Sequence, residues 1–246
     1  MTSTTDPSTL AGRTLVVFGG SSGIGLALAR AARAEGARVV AVGRDRARLD
    51  AAARAVVGLE TAVADIADEA HVAAFFRDLG ALDHLVVTAG AVVAPAALAT
   101  LDFAPARAAM ETKLIGSLHA AKHAAPRLRA GGSIGFTSGM LARKVTANAI
   151  VKTVINAGLE AAVRQLAREL APLRVYGVSP GPVDTPNWGT LSDDDRRARA
   201  AKFAATLPVG FMASADDTAQ AYLFAMQARA LTGTVIDLDS GAMVGA

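Results

Sequence analysis

The stretch Phe18-Gly19-Gly20-Ser21-Ser22-Gly23-Ile24-Gly25 constrains this chain more than any other. It follows the apolar run Leu15-Val16-Val17 and opens an alanine-rich segment of helical periodicity that runs to about Glu35. Strand, glycine turn and helix in that order predict a cradle for phosphate. Gly19 permits the tight turn, Gly23 lets backbone N–H groups approach a pyrophosphate, and Gly25 allows the helix to pack closely on the strand. Ser21 and Ser22 fall inside the same cradle. Glycine also marks ordinary turns, so it is the strand and helix patterns on either side that give the run its meaning.

The same unit recurs down the chain. Arg38–Val42 reads as a buried strand and Asp45–Ala55 as a helix, joined by the turn Gly43-Arg44-Asp45. Leu59–Val63 makes a third strand, and Ala67–Leu79 a helix with Val72, Phe75, Phe76 and Leu79 on one stripe. A fourth strand, His84–Thr88, ends in Thr88-Ala89-Gly90, followed by a long helix over Phe103–Leu128 and a fifth strand over Gly132–Thr137. A second long helix, Ala147–Leu170, leads to the strand Arg174–Ser179 and the turn Pro180-Gly181-Pro182. Ala215–Ala228 and Gly233–Asp237 add a last helix and strand. Strands alternating with helices predict an α/β fold with a parallel sheet covered on both faces. The pattern breaks over 185–212, which carries Pro186, Trp188, a charged run and Pro208. That excursion is expected to form a substrate lid at the carboxyl ends of the strands, with Trp188 by the pocket.

With 246 residues, 52% of them hydrophobic, the chain suits one domain over 11–246. The polar first ten residues read as a disordered tail rather than a signal peptide. No run reaches the roughly 18 apolar residues of a membrane span, so a soluble protein is expected, with the cytoplasm as default location. The net charge of +3 is spread among interspersed acids and arginines and implies no nucleic-acid partner. The exception is Arg44, Arg46 and Arg48 beyond the second strand, a candidate phosphate site whose alternative is a solvated helix start. The absence of cysteine excludes disulfides, thiol nucleophiles and thiolate metal sites. His119 and His123 share a helix face, but no third ligand accompanies them and no metal set is assigned; His71 and His84 read as peripheral.

These residues resemble the short-chain dehydrogenase/reductase family from roughly Gly12 to Val244. The resemblance rests on Gly19-x3-Gly23-Ile24-Gly25, Asp65 after the third strand, Ala89-Gly90 after the fourth, Pro180-Gly181 with Thr185 after the sixth, and Leu231-Thr-Gly-Thr-Val-Ile-Asp-Leu-Asp-Ser-Gly241. It implies a single-domain Rossmann fold with a seven-stranded parallel sheet, three helices on each face, a homodimer or homotetramer, and a nicotinamide dinucleotide cofactor. It also implies Asp65 and Ile66 beside the adenine, Ala89 and Gly90 along the ribose, and Val183 and Thr185 near the carboxamide. An acid at the end of the second strand would accept the ribose 2′-hydroxyl, but Gly43 stands there, followed by Arg44. A guanidinium suits a phosphate dianion, so NADP(H) is the expected cofactor.

The family's catalytic set is a tyrosine and a lysine four residues apart, a serine thirteen before the tyrosine, and an asparagine on the preceding long helix. Counting back without gaps from Leu166-Ala167-Arg168-Glu169-Leu170 puts Lys152 at the tyrosine position, Asn156 at the lysine and Gly139 at the serine; matching Gly116 puts Lys113 at the asparagine. A rival register keeps Lys152 as the lysine and makes Asn148 the tyrosine substitute. Neither restores a tyrosine, and Thr88 stands where the family usually has asparagine. Lys113 and Asn156 then amount to an exchange of amine and amide between facing helices. Lys152 is the candidate proton donor, or a Schiff-base amine, or only a ribose contact. Ser138 would supply a hydroxyl if the strand end kinks, although alternation argues against it. The leading expectation is an NADP(H)-dependent oxidoreductase of a small carbonyl or alcohol with a non-standard proton donor. The alternative is a cofactor-binding pseudoenzyme or a redox-neutral cyclase, isomerase or dehydratase.

Overall fold

The computed structural model describes residues 9–185 and 192–244. Trp188 and residues 1–8 of the expected tail lie outside the described residues. In chain order the strands are β1 (Thr14–Phe18), β2 (Arg38–Gly43), β3 (Glu60–Val63), β4 (Leu82–Val87), β5 (Leu128–Thr137), β6 (Arg174–Pro180), β7 (Val183–Asp184), β8 (Ala213–Ser214) and β9 (Thr234–Leu238). The helices are α1 (Gly23–Ala34), α2 (Arg46–Ala55), α3 (Glu69–Leu79), α4 (Phe103–Met110), α5 (Gly116–Ala124), α6 (Ile150–Glu169), α7 (Asp193–Ala204) and α8 (Ala215–Gln227).

Seven strands form one parallel sheet in the order β3-β2-β1-β4-β5-β6-β9. Alternation along each strand divides its side chains between two cores. On β1, Leu15 and Val17 join the cluster covered by α1, α2 and α8, while Val16 and Phe18 join the cluster covered by α3, α4, α5 and α6. Strands buried on both faces require the near-continuous apolar runs seen in the sequence. The expected Rossmann architecture is therefore present. No helix among the described residues is long and apolar enough to cross a membrane.

Four local expectations change. The helix expected over Phe103–Leu128 is interrupted: α4 passes into a π turn, Glu111–Ile115, before α5, and Leu128 already belongs to β5. At the end of that turn Gly116 lies so close to Ile66 that a Cβ would sit 2.8 Å from the Ile66 carbonyl oxygen. The helix expected from Ala147 starts at Ile150, because Asn148 has left-handed backbone with φ of 61°. His84 is not peripheral: it lies on central β4, 5% exposed, with Nδ1 2.8 Å from Ser133 Oγ. Leu10, placed in the tail, is buried in the core.

The excursion over 185–212 is bracketed by β7 and β8, which pair in parallel as Val183 with Ala213 and Asp184 with Ser214. Within it α7 starts on a Ser192 cap, whose Oγ accepts the Asp195 N–H, and buries none of its residues. Asp184 Oδ1 accepts a 2.6 Å hydrogen bond from Arg196 of α7.

Candidate functional site

The sheet order turns back at β1: the chain runs outward through β2 and β3, then returns to β4 on the other side. Loops leaving the carboxyl ends of β1 and β4 therefore diverge and leave a crevice, where ligands of such sheets bind. Glycine lets the two loops touch. A Cβ on Gly19 would lie 2.6 Å from the Ala89 nitrogen, and one on Gly25 would lie 2.5 Å from Thr88 Oγ1. The Thr88 N–H in turn donates to the Phe18 carbonyl at 2.8 Å, tying the end of β4 to the end of β1.

A cavity of about 300 Å³ opens above this junction. Gly19, Ser21, Ser22, Gly23, Ile24 and Gly25 line it, with Arg44, Asp65, Ile66, Ala89, Gly90 and Thr185. Its donor chemistry suits a diphosphate. Ser22 sits at the N-cap of α1 in extended conformation but makes no side-chain cap bond, and the first turn holds no acid. The N–H groups of that turn are thus left to a ligand, with the positive end of the helix dipole behind them. At the other wall Arg44 is exposed and makes no hydrogen bond or ion pair with a described residue. Arg48, which the sequence did not single out from its cluster, lines the cavity one turn further on, its Nε 3.6 Å from Asp45 Oδ2. Arg46 instead points to Asp50, at 3.9 Å. At Gly43 a Cβ would meet only Leu49 and Ser21 Oγ at 3.7 Å, so sterics do not forbid a side chain there.

A second cavity of about 350 Å³ adjoins the first, sharing Ile24, Thr88, Gly90 and Thr185 with it. Lys113, Ser138, Gly139, Lys152, Asn156, Pro180, Gly181 and Val183 line it. Between them the two cavities collect every residue that the sequence assigned to cofactor or catalysis. They add Thr88, Thr112 and, from α7, Phe203. Thr88 follows directly from β4 and was visible as a departure; nothing in the weakly patterned α7 pointed to Phe203.

Lys113, Asn156 and Gly139 pack against one another, and Lys152 lines the same cavity. The π turn presents Lys113, whose Nζ donates to the Ser138 carbonyl at 2.9 Å and to Asn156 Oδ1 at 2.7 Å. This orients the amide so that Nδ2 faces Gly139, 2.9 Å from where a Cβ would stand. Amine and amide do meet across the two helices, and the Asn156 amide fills the space that a side chain at Gly139 would need. Burial, with the neighbouring Lys152 charge second, pushes the Lys113 ammonium down to about 8. Lys152, in the first turn of α6, makes no hydrogen bond or ion pair with a described residue.

Other candidates are drawn elsewhere. Ser138 Oγ donates to Glu160 Oε1 at 3.0 Å and to the Asn156 carbonyl at 3.3 Å, so the strand end does not turn it into the crevice. Glu160 is buried and also meets Arg143 Nε at 3.2 Å. Tyr176 and Tyr222 are fully buried core residues whose phenols burial pushes upward. Asn148, the rival tyrosine substitute, lines a smaller cavity of about 110 Å³ that shares Val93, Leu141 and Lys152 with the second. His119 and His123 converge with Lys122 on Glu69, whose carboxyl the Lys122 and His123 hydrogen bonds hold down at about 2.

The family model described as enoyl-(acyl carrier protein) reductase matches residues 19–243. The chain is 33% identical to short-chain dehydrogenase/reductase ATR9 of Stachybotrys chlorohalonatus, over 96% of this chain and 99% of the relative. It is 35% identical to cis-4-hydroxycyclohexanecarboxylate dehydrogenase of Sinomonas cyclohexanicum, over 93% and 96% respectively. Among solved structures, a small-chain dehydrogenase in complex with NADPH is 42% identical with a TM-score of 0.81, covering 95% of this chain and all (100%) of that one. The MalC reductase/Diels-Alderase of Malbranchea aurantiaca is 26% identical with a TM-score of 0.87, covering 96% and 97%.

Proposed function

Because this chain belongs to the short-chain dehydrogenase/reductase family, we propose that it is an NADP(H)-dependent oxidoreductase of a small carbonyl or alcohol with lysine as its proton carrier. One observation carries the proposal: a cavity with diphosphate-ready N–H donors and an arginine that has no partner among the described residues adjoins a second cavity that holds an amine equally without a described partner.

In this reading the first turn of α1 holds the diphosphate, and Arg44 with Arg48 holds the 2′-phosphate. Asp65 and Ile66 flank the adenine, Ala89 and Gly90 the ribose, and Val183 and Thr185 the carboxamide, with Pro180-Gly181 closing that wall. When bound, the cofactor supplies or accepts hydride. Lys152 supplies the proton: its ammonium donates from Nζ to the carbonyl oxygen as the alcohol forms, and the neutral amine left behind is reprotonated from water. In oxidation the neutral amine takes the alcohol proton. Lys113, held by Ser138 and Asn156, keeps a second positive charge behind it. The 185–212 excursion acts as the lid through α7. The α5–α6 face, where Leu118, Leu166 and Leu170 border a cavity of about 410 Å³, supports a homodimer or homotetramer.

A second reading is favoured by the hydroxyl groups being turned elsewhere: Ser138 bonds to Glu160 and both tyrosines lie in the core. It is a redox-neutral reaction in the same crevice, and the similarity to a reductase/Diels-Alderase supports that class. Titration with NADPH, followed by fluorescence, and NADPH absorbance over a broad carbonyl panel separate the two. Turnover that is lost in Lys152→Ala while NADPH affinity stays unchanged is the expected result. Tight NADPH binding with no oxidation of it across the panel favours the second reading, and turnover retained in Lys152→Ala removes lysine from the proton path.

A further inference from the structure

The charge balance of the second cavity points to the substrate. Lys113 and Lys152 both line it, and no aspartate or glutamate does among the described residues; the remaining described lining is apolar side chains, glycine and neutral polar groups. The nearby acids are engaged elsewhere: Asp239, packed behind Gly181, accepts the Gly241 and Met243 N–H groups. Glu160 and Asp237 meet Arg143, and Asp184 meets Arg196. The hydrogen-bond partners of Lys113 are two neutral oxygens, and Lys152 has no partner among the described residues. Lys113 and Lys152 are each partly exposed and carry like charge, so holding both on one wall without a counterion is unfavourable unless an anion joins them. Burial first, and the Lys152 charge second, lower the Lys113 ammonium. At about 350 Å³ the cavity falls at the small end of ligand sites, and its walls, Val92, Val93, Met140 and Leu141, suit a hydrocarbon body.

We propose that the second cavity takes a substrate with a carboxylate on a compact apolar frame, and that Lys152 and Lys113 bind this anion. The proposal rests on the second cavity being the substrate site of the reading above, and it deepens that reading by naming the substrate class. Lys113 is the fixed element, held from two sides, and Lys152 the adjustable one. A neutral substrate of the same shape would leave both amines unmatched, so charge rather than fit is what discriminates.

The test uses benzoate and its neutral isostere benzamide as probes of the full chain, with binding read by ligand-observed NMR and without cofactor or turnover. A charge-assisted hydrogen bond corresponds to roughly 10- to 100-fold in affinity, so benzoate is expected to bind at least about 10-fold tighter than benzamide. Lys152→Met should abolish that preference, Lys113→Gln should reduce it, and Arg54→Met, a charge removed on remote α2, should leave it unchanged. Benzoate and benzamide binding equally, neither binding, or a preference that survives Lys152→Met would each overturn the proposal. Circular dichroism of each variant identifies one that fails to fold, in which case Lys113→Gln alone decides by the same ratio. A chain that prefers benzoate but never oxidises NADPH refutes the hydride reading and leaves this one standing; the converse result does the opposite.

Discussion

Gly139 and Asn156 should behave as one unit, and a double-mutant cycle can measure it. In Gly139→Ala the new Cβ would stand 2.9 Å from Asn156 Nδ2 and 3.5 Å from its Cγ. If the amide holds its place, overpacking costs about 1–3 kcal/mol. If it swings away, Lys113 loses its 2.7 Å bond to Oδ1, and a hydrogen bond to a charged group contributes about 1.5–3 kcal/mol. Both routes give a loss near 2 kcal/mol. The backbone at Gly139 is extended, with φ of 162° and ψ of 151°, so alanine brings no conformational strain of its own. In an Asn156→Ala background the clash is gone. There the substitution should stabilise by about 0.4–1 kcal/mol, because it restricts only the unfolded chain. The effect of Gly139→Ala therefore changes sign between the two backgrounds, a coupling of about 2–3 kcal/mol. Urea unfolding of the four proteins, followed by circular dichroism, reads it. Additive effects, or a neutral Gly139→Ala in the parent chain, would refute the account of why this position is glycine.

Arg44→Ala should weaken NADPH binding by roughly 10-fold or more while leaving NADH unchanged, since one charge-assisted contact to the 2′-phosphate is removed; equal losses for both would remove Arg44 from phosphate recognition. His84 carries a pH prediction. Burial, with Arg174 and Arg13 assisting and Asp83 opposing, lowers it to about 4 from 6.5. The unfolded chain thus binds the proton first. Stability from this group is present above about pH 6.5 and is lost as pH falls towards 4, by about 3 kcal/mol at 1.36 kcal/mol per unit. His84→Asn should flatten the urea midpoint between pH 7 and pH 4.5 relative to the parent, which controls for the carboxylates; an unchanged slope would contradict the assigned burial.

How far the sequence reaches depends on the range of the interaction. The glycine cradle and the strand–helix alternation are local, and both appear near the expected residues, in Gly19–Gly25 and in the seven strands β1 to β6 and β9; the short β7–β8 pair was not expected. Lys113, Gly139, Lys152 and Asn156 were also legible as candidates by counting along the chain. Their packing was not, because the Lys113–Asn156 bond joins residues 43 apart in sequence. The π turn was invisible for a different reason: its residues fit α-helical periodicity equally well, and the close approach of Gly116 to Ile66 is a tertiary contact. His84 misled in the same way. A histidine in a strand reads as polar until Ser133 and the sheet interior are placed beside it.

The short β7–β8 pair separates two kinds of change this protein can undergo. The chain leaves the main fold at Val183-Asp184 and rejoins it at Ala213-Ser214, one strand paired directly beside the other. The described residues of the path between them enter no register of the seven-stranded sheet and contribute only Leu207 to the buried apolar set. The β7–β8 pairing fixes the two ends of this path beside each other whatever lies between them. Innovation in this region is in that sense insulated from folding: a library confined to residues 192–210 would vary what borders the crevice while every variant inherits the same sheet, the same cradle and the same pair of lysines.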